Sequence, residues 1–131
     1  MKDIIYDDFQ NTVNEVLIRH KSILDIITKF QETDARINRA IAKSATLCGC
    51  IKIKAEKQKI PEDISLQDMI KYVDYQLEGQ ICDNCREVIE KEIGNHIFYL
   101  TALCNALDLN LYDIFLKEYK KLSTLGIYNL L

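Results

Sequence analysis

The chain contains little that would interrupt a helix. It has one proline and four glycines in 131 residues, and these two residue types are the ones that break or weaken helices most. It also lacks any strong excess of charge. With a net charge of −3 and a pI near 5.4, it has no general attraction for phosphate backbones or anionic lipid, so nucleic-acid binding is disfavoured. No stretch approaches the roughly 18 consecutive apolar residues that suggest a membrane span. Met1 to Asp8 carries three acids and no long apolar run, which fits neither a signal nor a transit peptide and makes the cytoplasm the expected location.

What is present matches an average globular domain: 48% hydrophobic and 28% charged residues, with no internal repeat and no low-complexity tract. A chain of this length buries roughly two-thirds of its unfolded surface, enough for one core. Residues 1–131 are therefore expected to form a single all-α domain, a bundle of about five helices. Phe9, Val13, Val16, Ile23, Ile27 and Phe30 follow a 3,4 spacing with His20 as the missing tooth, which predicts one long amphipathic helix over 9–30. A second helix is expected after Thr33-Asp34, with Ile37, Ile41, Ala45 and Cys48 on one face and Gly49 as its left-handed cap.

Ile51 to Ala55 alternates with period two, which suits a short extended segment. Ser65-Leu66-Gln67-Asp68 is a capping-box-like start for a third helix through Leu77, closed by Gly79. A fourth is expected from about Asp83 to Leu107, with Ile89, Ile93, Leu100, Leu103 and Leu107 as its core stripe. Asn110, with Asp113 three residues on, caps a fifth through Leu122 that buries Leu111, Ile114 and Phe115.

Five cysteines is an odd number, and cytosolic thiols are normally reduced, so metal binding or redox chemistry outranks a disulfide framework. Cys48-Gly49-Cys50 falls at the expected end of helix two and Cys82-Asp83-Asn84-Cys85 at the expected start of helix four. Short-spaced pairs from two segments are a common way to supply four thiolates to a structural zinc ion. A helix N-terminus also lowers thiol pKa, which favours ligation by Cys82 and Cys85. An iron–sulfur cluster is the minor form of this metal reading. Thiol redox chemistry at the Cys-x-x-Cys pair is the rival, although it ordinarily belongs to a βαβ setting. Inert packing is the third alternative, and it suits Cys104 on the apolar face of helix four.

Helix four also carries Glu87, Glu90 and Glu92, the candidate acids. Glu92 and His96 stand at i, i+4, a spacing that would put two ligands on one face. A histidine in an apolar stripe is more often a core residue bonded to a neighbour, and His20 reads the same way, so the two imidazoles are expected to face each other or mark a polar layer.

The segment from Glu92-Ile93-Gly94-Asn95-His96 through Leu107-Asp108-Leu109-Asn110-Leu111 resembles the third helix of the MazG-like, all-α nucleoside triphosphate pyrophosphohydrolases. That resemblance implies a helical, oligomeric protein that binds Mg²⁺ through acids of two helices and releases pyrophosphate from a nucleoside triphosphate. Glu92 falls on the first acid of the family's Glu-x-x-Asp, while Asn95 replaces the second. The preceding helix should carry further acids near Ala42, Lys43 and Thr46, and none stands there. Cys-Gly-Cys and Cys-x-x-Cys-Arg-Glu also resemble signatures of a small family of Gram-positive bacterial proteins, a likeness that brings no activity with it.

The expectation is a homodimer through its long amphipathic helices, stapled by zinc at Cys48, Cys50, Cys82 and Cys85. It would act as a non-catalytic binding or regulatory module for a protein or nucleotide ligand. The alternatives are a divergent Mg²⁺-dependent pyrophosphohydrolase and a thiol redox protein.

Overall fold

Two helices replace the single one expected at the N-terminus. In the computed structural model, which describes residues 2–130, α1 spans Lys2–Val16 and α2 spans Ile23–Lys43. The break comes at Leu17 to Ser22, where His20 takes a left-handed φ of 57° and the Ser22 side chain accepts from the Asp25 amide at 3.1 Å to cap α2. A side-chain acceptor for an orphan amide is what starts a helix at serine. The 3,4 spacing runs on through the turn, but Phe9, Val16, Ile23 and Ile27 of that series are exposed; the core is made by Val13 and Leu17 packed with Ile26 and Ala102. Conversely, no break occurs at Thr33-Asp34. Thr33 lies buried in mid-α2, its hydroxyl donating to the Phe30 carbonyl at 3.0 Å.

Beyond Lys43 the backbone widens into one π-helical turn, Ser44–Cys48, and Gly49 closes it at φ 80°, the left-handed cap expected there. The extended segment is β1 (Ile51–Ile53), and its partner is β2 (Leu77–Gly79), antiparallel, with Ile51 opposite Gly79 and Ile53 opposite Leu77. Leu77 and Gly79 therefore do not belong to the third helix. That helix, α3, is only Leu66–Met69, started by Ser65 as expected. The strand needs a partner to satisfy its backbone, and 77–79 supplies one where a longer helix would not. Gln76 extends the pairing with its side chain, donating to the Glu56 carbonyl at 2.6 Å and accepting from the Glu56 amide at 3.0 Å.

Helix α4 (Asp83–Ala106) runs antiparallel to α2, and α5 (Leu111–Leu125) follows a short turn. Asn110 caps α5 by accepting from the Asp113 amide at 2.9 Å. Phe98, Tyr99 and Leu103 surround the core cluster. Gln10 ties α1 to the α4–α5 turn: its amide nitrogen donates to the Leu109 carbonyl at 2.7 Å, and its oxygen accepts from the Leu111 amide at 2.9 Å. The result is an all-α bundle of five helices with one two-stranded sheet. No helix among the described residues is long and apolar enough to cross a membrane.

Several stripes expected in the core lie partly open. Ile93 and Leu107 of α4, and Ile114 and Phe115 of α5, are all exposed, whereas Leu111 is buried.

Candidate metal centre

The two strands decide where the cysteines meet. Cys50 immediately precedes β1 and Cys82 follows β2 by three residues, so pairing the strands returns the chain to its starting point after the 51–79 excursion. The approach is close at Gly79, where φ is 83° and an added Cβ would lie 2.6 Å from the Cys50 carbonyl oxygen. Only glycine accepts both conditions.

On the other side, the antiparallel α2–α4 pair sets the π-turn against the first turn of α4. The Sγ atoms of Cys48, Cys50, Cys82 and Cys85 all lie within 4.8 Å of one another. Cys48 and Cys82, from the two segments, are 3.8 Å apart. No disulfide joins any of the five cysteines. The four residues are positioned to hold one metal ion, and among the described residues they are the only group of three or more Cys, His, Asp or Glu side chains so placed.

The local hydrogen bonding favours a thiolate at one position. Cys82 is the N-cap of α4, and its sulfur accepts from the Cys85 amide at 3.4 Å. This bond, together with the Cys85 side chain, brings the Cys82 thiol down to about 7. For Cys85 the Ser44 hydroxyl acts in the same direction, but the neighbouring Cys82, burial and the other two thiols outweigh it and push the group up to about 12. Cys48 is raised as well. Cys85 and the Cys50 backbone favour its thiolate, while Cys82, the Cys50 thiol and burial oppose it. Cys82 thus gives up its proton easily while Cys48 and Cys85 resist, because a second negative charge would stand beside the first. A divalent cation held by Cys48, Cys50, Cys82 and Cys85 would offset that repulsion and favour loss of the remaining thiol protons.

Ser44 is the participant that spacing alone did not reveal. It is 1% exposed; its carbonyl accepts from the Gly49 amide at 2.9 Å and from the Cys50 thiol at 3.7 Å. Its clue was a small polar residue four positions before a Cys-Gly-Cys, where a buried hydroxyl needs a backbone acceptor, here Ala40 O at 3.0 Å. Cys104 is buried on α4, as expected, far along the chain from the cluster.

The acids behave differently. Glu87 and Glu90 are exposed and Glu92 is half-buried, and none of them joins a metal-competent group among the described residues. Glu92 Oε2 is nevertheless buried and has no hydrogen-bond partner. At the positions where the resemblance places further acids, Ala42 and Lys43 end α2, and the Thr46 hydroxyl donates to the Ala42 carbonyl at 3.0 Å inside the π-turn.

His96 meets neither Glu92 as a co-ligand nor His20. Its Nδ1 lies 2.9 Å from the Thr33 hydroxyl oxygen, and its ring stacks on Phe30 with centroids 4.3 Å apart. The single Thr33 hydroxyl proton can serve either the Phe30 carbonyl or His96 Nδ1, so the direction of the Thr33–His96 bond follows the imidazole tautomer. His20 is exposed in the α1–α2 turn, so the expected histidine pair does not form. Comparison with known proteins gives no match to a family model, to a curated protein or to a solved structure.

Proposed function

We propose that the chain is a zinc-stapled, non-catalytic helical module. One observation carries this reading: four cysteine sulfurs from two chain segments fall within 4.8 Å of one another. Zinc–sulfur bonds of about 2.3 Å in a tetrahedron put the sulfurs about 3.8 Å apart, which is the Cys48–Cys82 separation. The other pairs need only small side-chain rotations to reach it. The four cysteines of an iron–sulfur cluster are divided among two or more irons, so not all of them stand this close together, and the spacing favours a single ion. The site's place in the fold supports a structural role, because the ion would pin the end of α2 and the base of the β1–β2 excursion to the start of α4. Four thiolates also leave no open coordination position, as structural sites do.

Elemental analysis of protein purified under reducing conditions without chelator should find about one zinc per chain. Cys82→Ser should lower both that content and the thermal midpoint, since a lost ligand weakens a bond network coupled to folding. Metal well below one per chain would overturn the reading, and iron with visible thiolate charge-transfer bands would replace zinc.

A second reading rests on Glu92. A buried carboxylate oxygen without a partner is costly, and a bound cation is one way to satisfy it. In a divergent MazG-like pyrophosphohydrolase that cation would be Mg²⁺, with Glu87 and Glu90 as the nearest acids in sequence. Mg²⁺ prefers several carboxylates and water, and Ala42, Lys43 and Thr46 supply none. Pyrophosphate release from any common nucleoside triphosphate with Mg²⁺, abolished in Glu92→Gln, would establish this reading; no release from any of them would remove it.

A further inference from the structure

The four clustered cysteines are not equivalent. Ser44, buried beneath them, engages two: its carbonyl accepts from the Cys50 thiol at 3.7 Å, and its hydroxyl lies against the Cys85 side chain. Cys48 and Cys82 form the other pair. Their sulfurs stand 3.8 Å apart, and Cys48 is the one exposed member of the group. They come from opposite segments, the end of the π-turn and the N-cap of α4. A sulfur that solvent reaches, with a second sulfur beside it, is the arrangement from which a disulfide forms.

We infer that the metal centre is oxidant-sensitive, and that a peroxide exchanges its ion for a Cys48–Cys82 disulfide. This inference rests on the zinc reading above and adds regulation to it. It differs from redox chemistry at the Cys-x-x-Cys pair, because the partner of Cys82 is across the cluster and the ion is lost.

A metal-bound cysteine is a thiolate, and the thiolate is the nucleophile. The Cys48 sulfur attacks one oxygen of hydrogen peroxide; the O–O bond breaks, Cys48 becomes a sulfenic acid, and the departing hydroxide takes up a proton to become water. The Cys82 thiolate then attacks the Cys48 sulfur. The S–S bond forms, and the sulfenic hydroxyl leaves as hydroxide and becomes a second water. The two sulfurs together lose two electrons and the peroxide gains them. An S–S bond is about 2 Å long, so the pair closes by under about 2 Å from its present separation. Cys50 and Cys85 alone do not fill the ion's tetrahedron, and each takes up a proton as the ion departs. The crosslink keeps the π-turn clipped to α4, while Cys50, at the base of β1, is released. Oxidation thereby loosens the β1–β2 excursion without separating the two helices.

The test uses the full chain as purified, with zinc bound. Hydrogen peroxide is added in the absence of air, released metal is followed with a chromogenic chelator, and free thiols are alkylated before tryptic digestion. Zinc and crosslink should appear in equal amounts. The peptide 44–52, which holds Cys48 and Cys50, should be joined to 72–86, which holds Cys82 and Cys85, with fragment ions placing the bond at Cys48 and Cys82. Cys104, buried on α4, should stay reduced. Dithiothreitol followed by zinc should restore the starting mass and metal content. A bond closed within 72–86 overturns the proposal, and so does metal loss that reductant does not reverse. A chain without zinc at the outset fails the metal measurement before any oxidant is added, and the zinc reading falls with it. A zinc-loaded chain that keeps its ion while Cys48 is oxidised overturns this inference alone.

Discussion

Two glycines of ordinary appearance in the sequence do opposite things. Gly79 sits at φ 83° with no room for a Cβ, because the Cys50 carbonyl would lie 2.6 Å from it. Gly94 lies in the middle of α4 with nothing within 4 Å of an added Cβ. Gly79→Ala combines left-handed strain with a backbone clash and should cost at least about 2 kcal/mol. It should also loosen the cysteine cluster, since β2 can no longer close on Cys50. Gly94→Ala removes unfolded-chain freedom at a position already helical and should add about 0.5–1 kcal/mol. Urea unfolding of the two variants beside the parent protein checks both signs. A neutral G79A would mean that the strand approach is not what holds Cys50 near Cys82.

At the level of elements, the starts of α3, α4 and α5 were legible in their capping residues, while the Ser22 cap of α2 and the break before it were not. Ser65, Asn110 and Gly49 act where their residue types place them, and α4 starts at the Cys-x-x-Cys as expected. The long helix over 9–30 was misread because the 3,4 spacing of Phe9, Val13, Val16, Ile23, Ile27 and Phe30 runs on across the break at Leu17 to Ser22, although Phe9, Val16, Ile23 and Ile27 are exposed and α2 reaches the core through Ile26 instead. Periodicity alone marks neither continuity nor burial. β2 escaped notice for a related reason: Leu77-Glu78-Gly79 is too short to carry a period, and its strand character comes from Ile51 to Ile53 across the ladder. The four cysteines were legible because thiol pairs have few other uses in a reduced chain, whereas Ser44 and Thr33 act through backbone geometry that spacing cannot express.

Gln10 belongs to the same class. Its side chain replaces backbone pairing between α1 and the α4–α5 turn, and it is only 9% exposed. Gln10→Ala would strand the Leu109 carbonyl and the Leu111 amide and should cost about 2–3 kcal/mol. Denaturant titration should show this loss while metal content stays at its parental value. An unchanged stability would place α5 outside the cooperative unit.

Across the molecule, α2 and α4 form a beam with a different kind of stabilisation at each end. Val13, Leu17, Ile26 and Ala102 make an apolar cluster at one end, and the cysteines lie at the other, about 25 Å away along α4 from Ala102 to Cys85. The Thr33–His96 bond and the Phe30–His96 stack stand between them. The cysteine end has little apolar burial of its own, mainly Ile51 and Ile89, and its four thiols repel one another once ionised. Removing the ion should therefore open that end locally before the core responds, since regions with few buried apolar contacts open at the lowest cost. Hydrogen exchange with and without a chelator, under reducing conditions, should show amides at 44–52 and 77–88 losing protection by tenfold or more. Those at 98–104 and in the first turns of α2 should change little. Equal loss along the whole chain would instead mean that the metal and the apolar cluster hold a single cooperative unit, with the helical beam transmitting the loss from one end to the other.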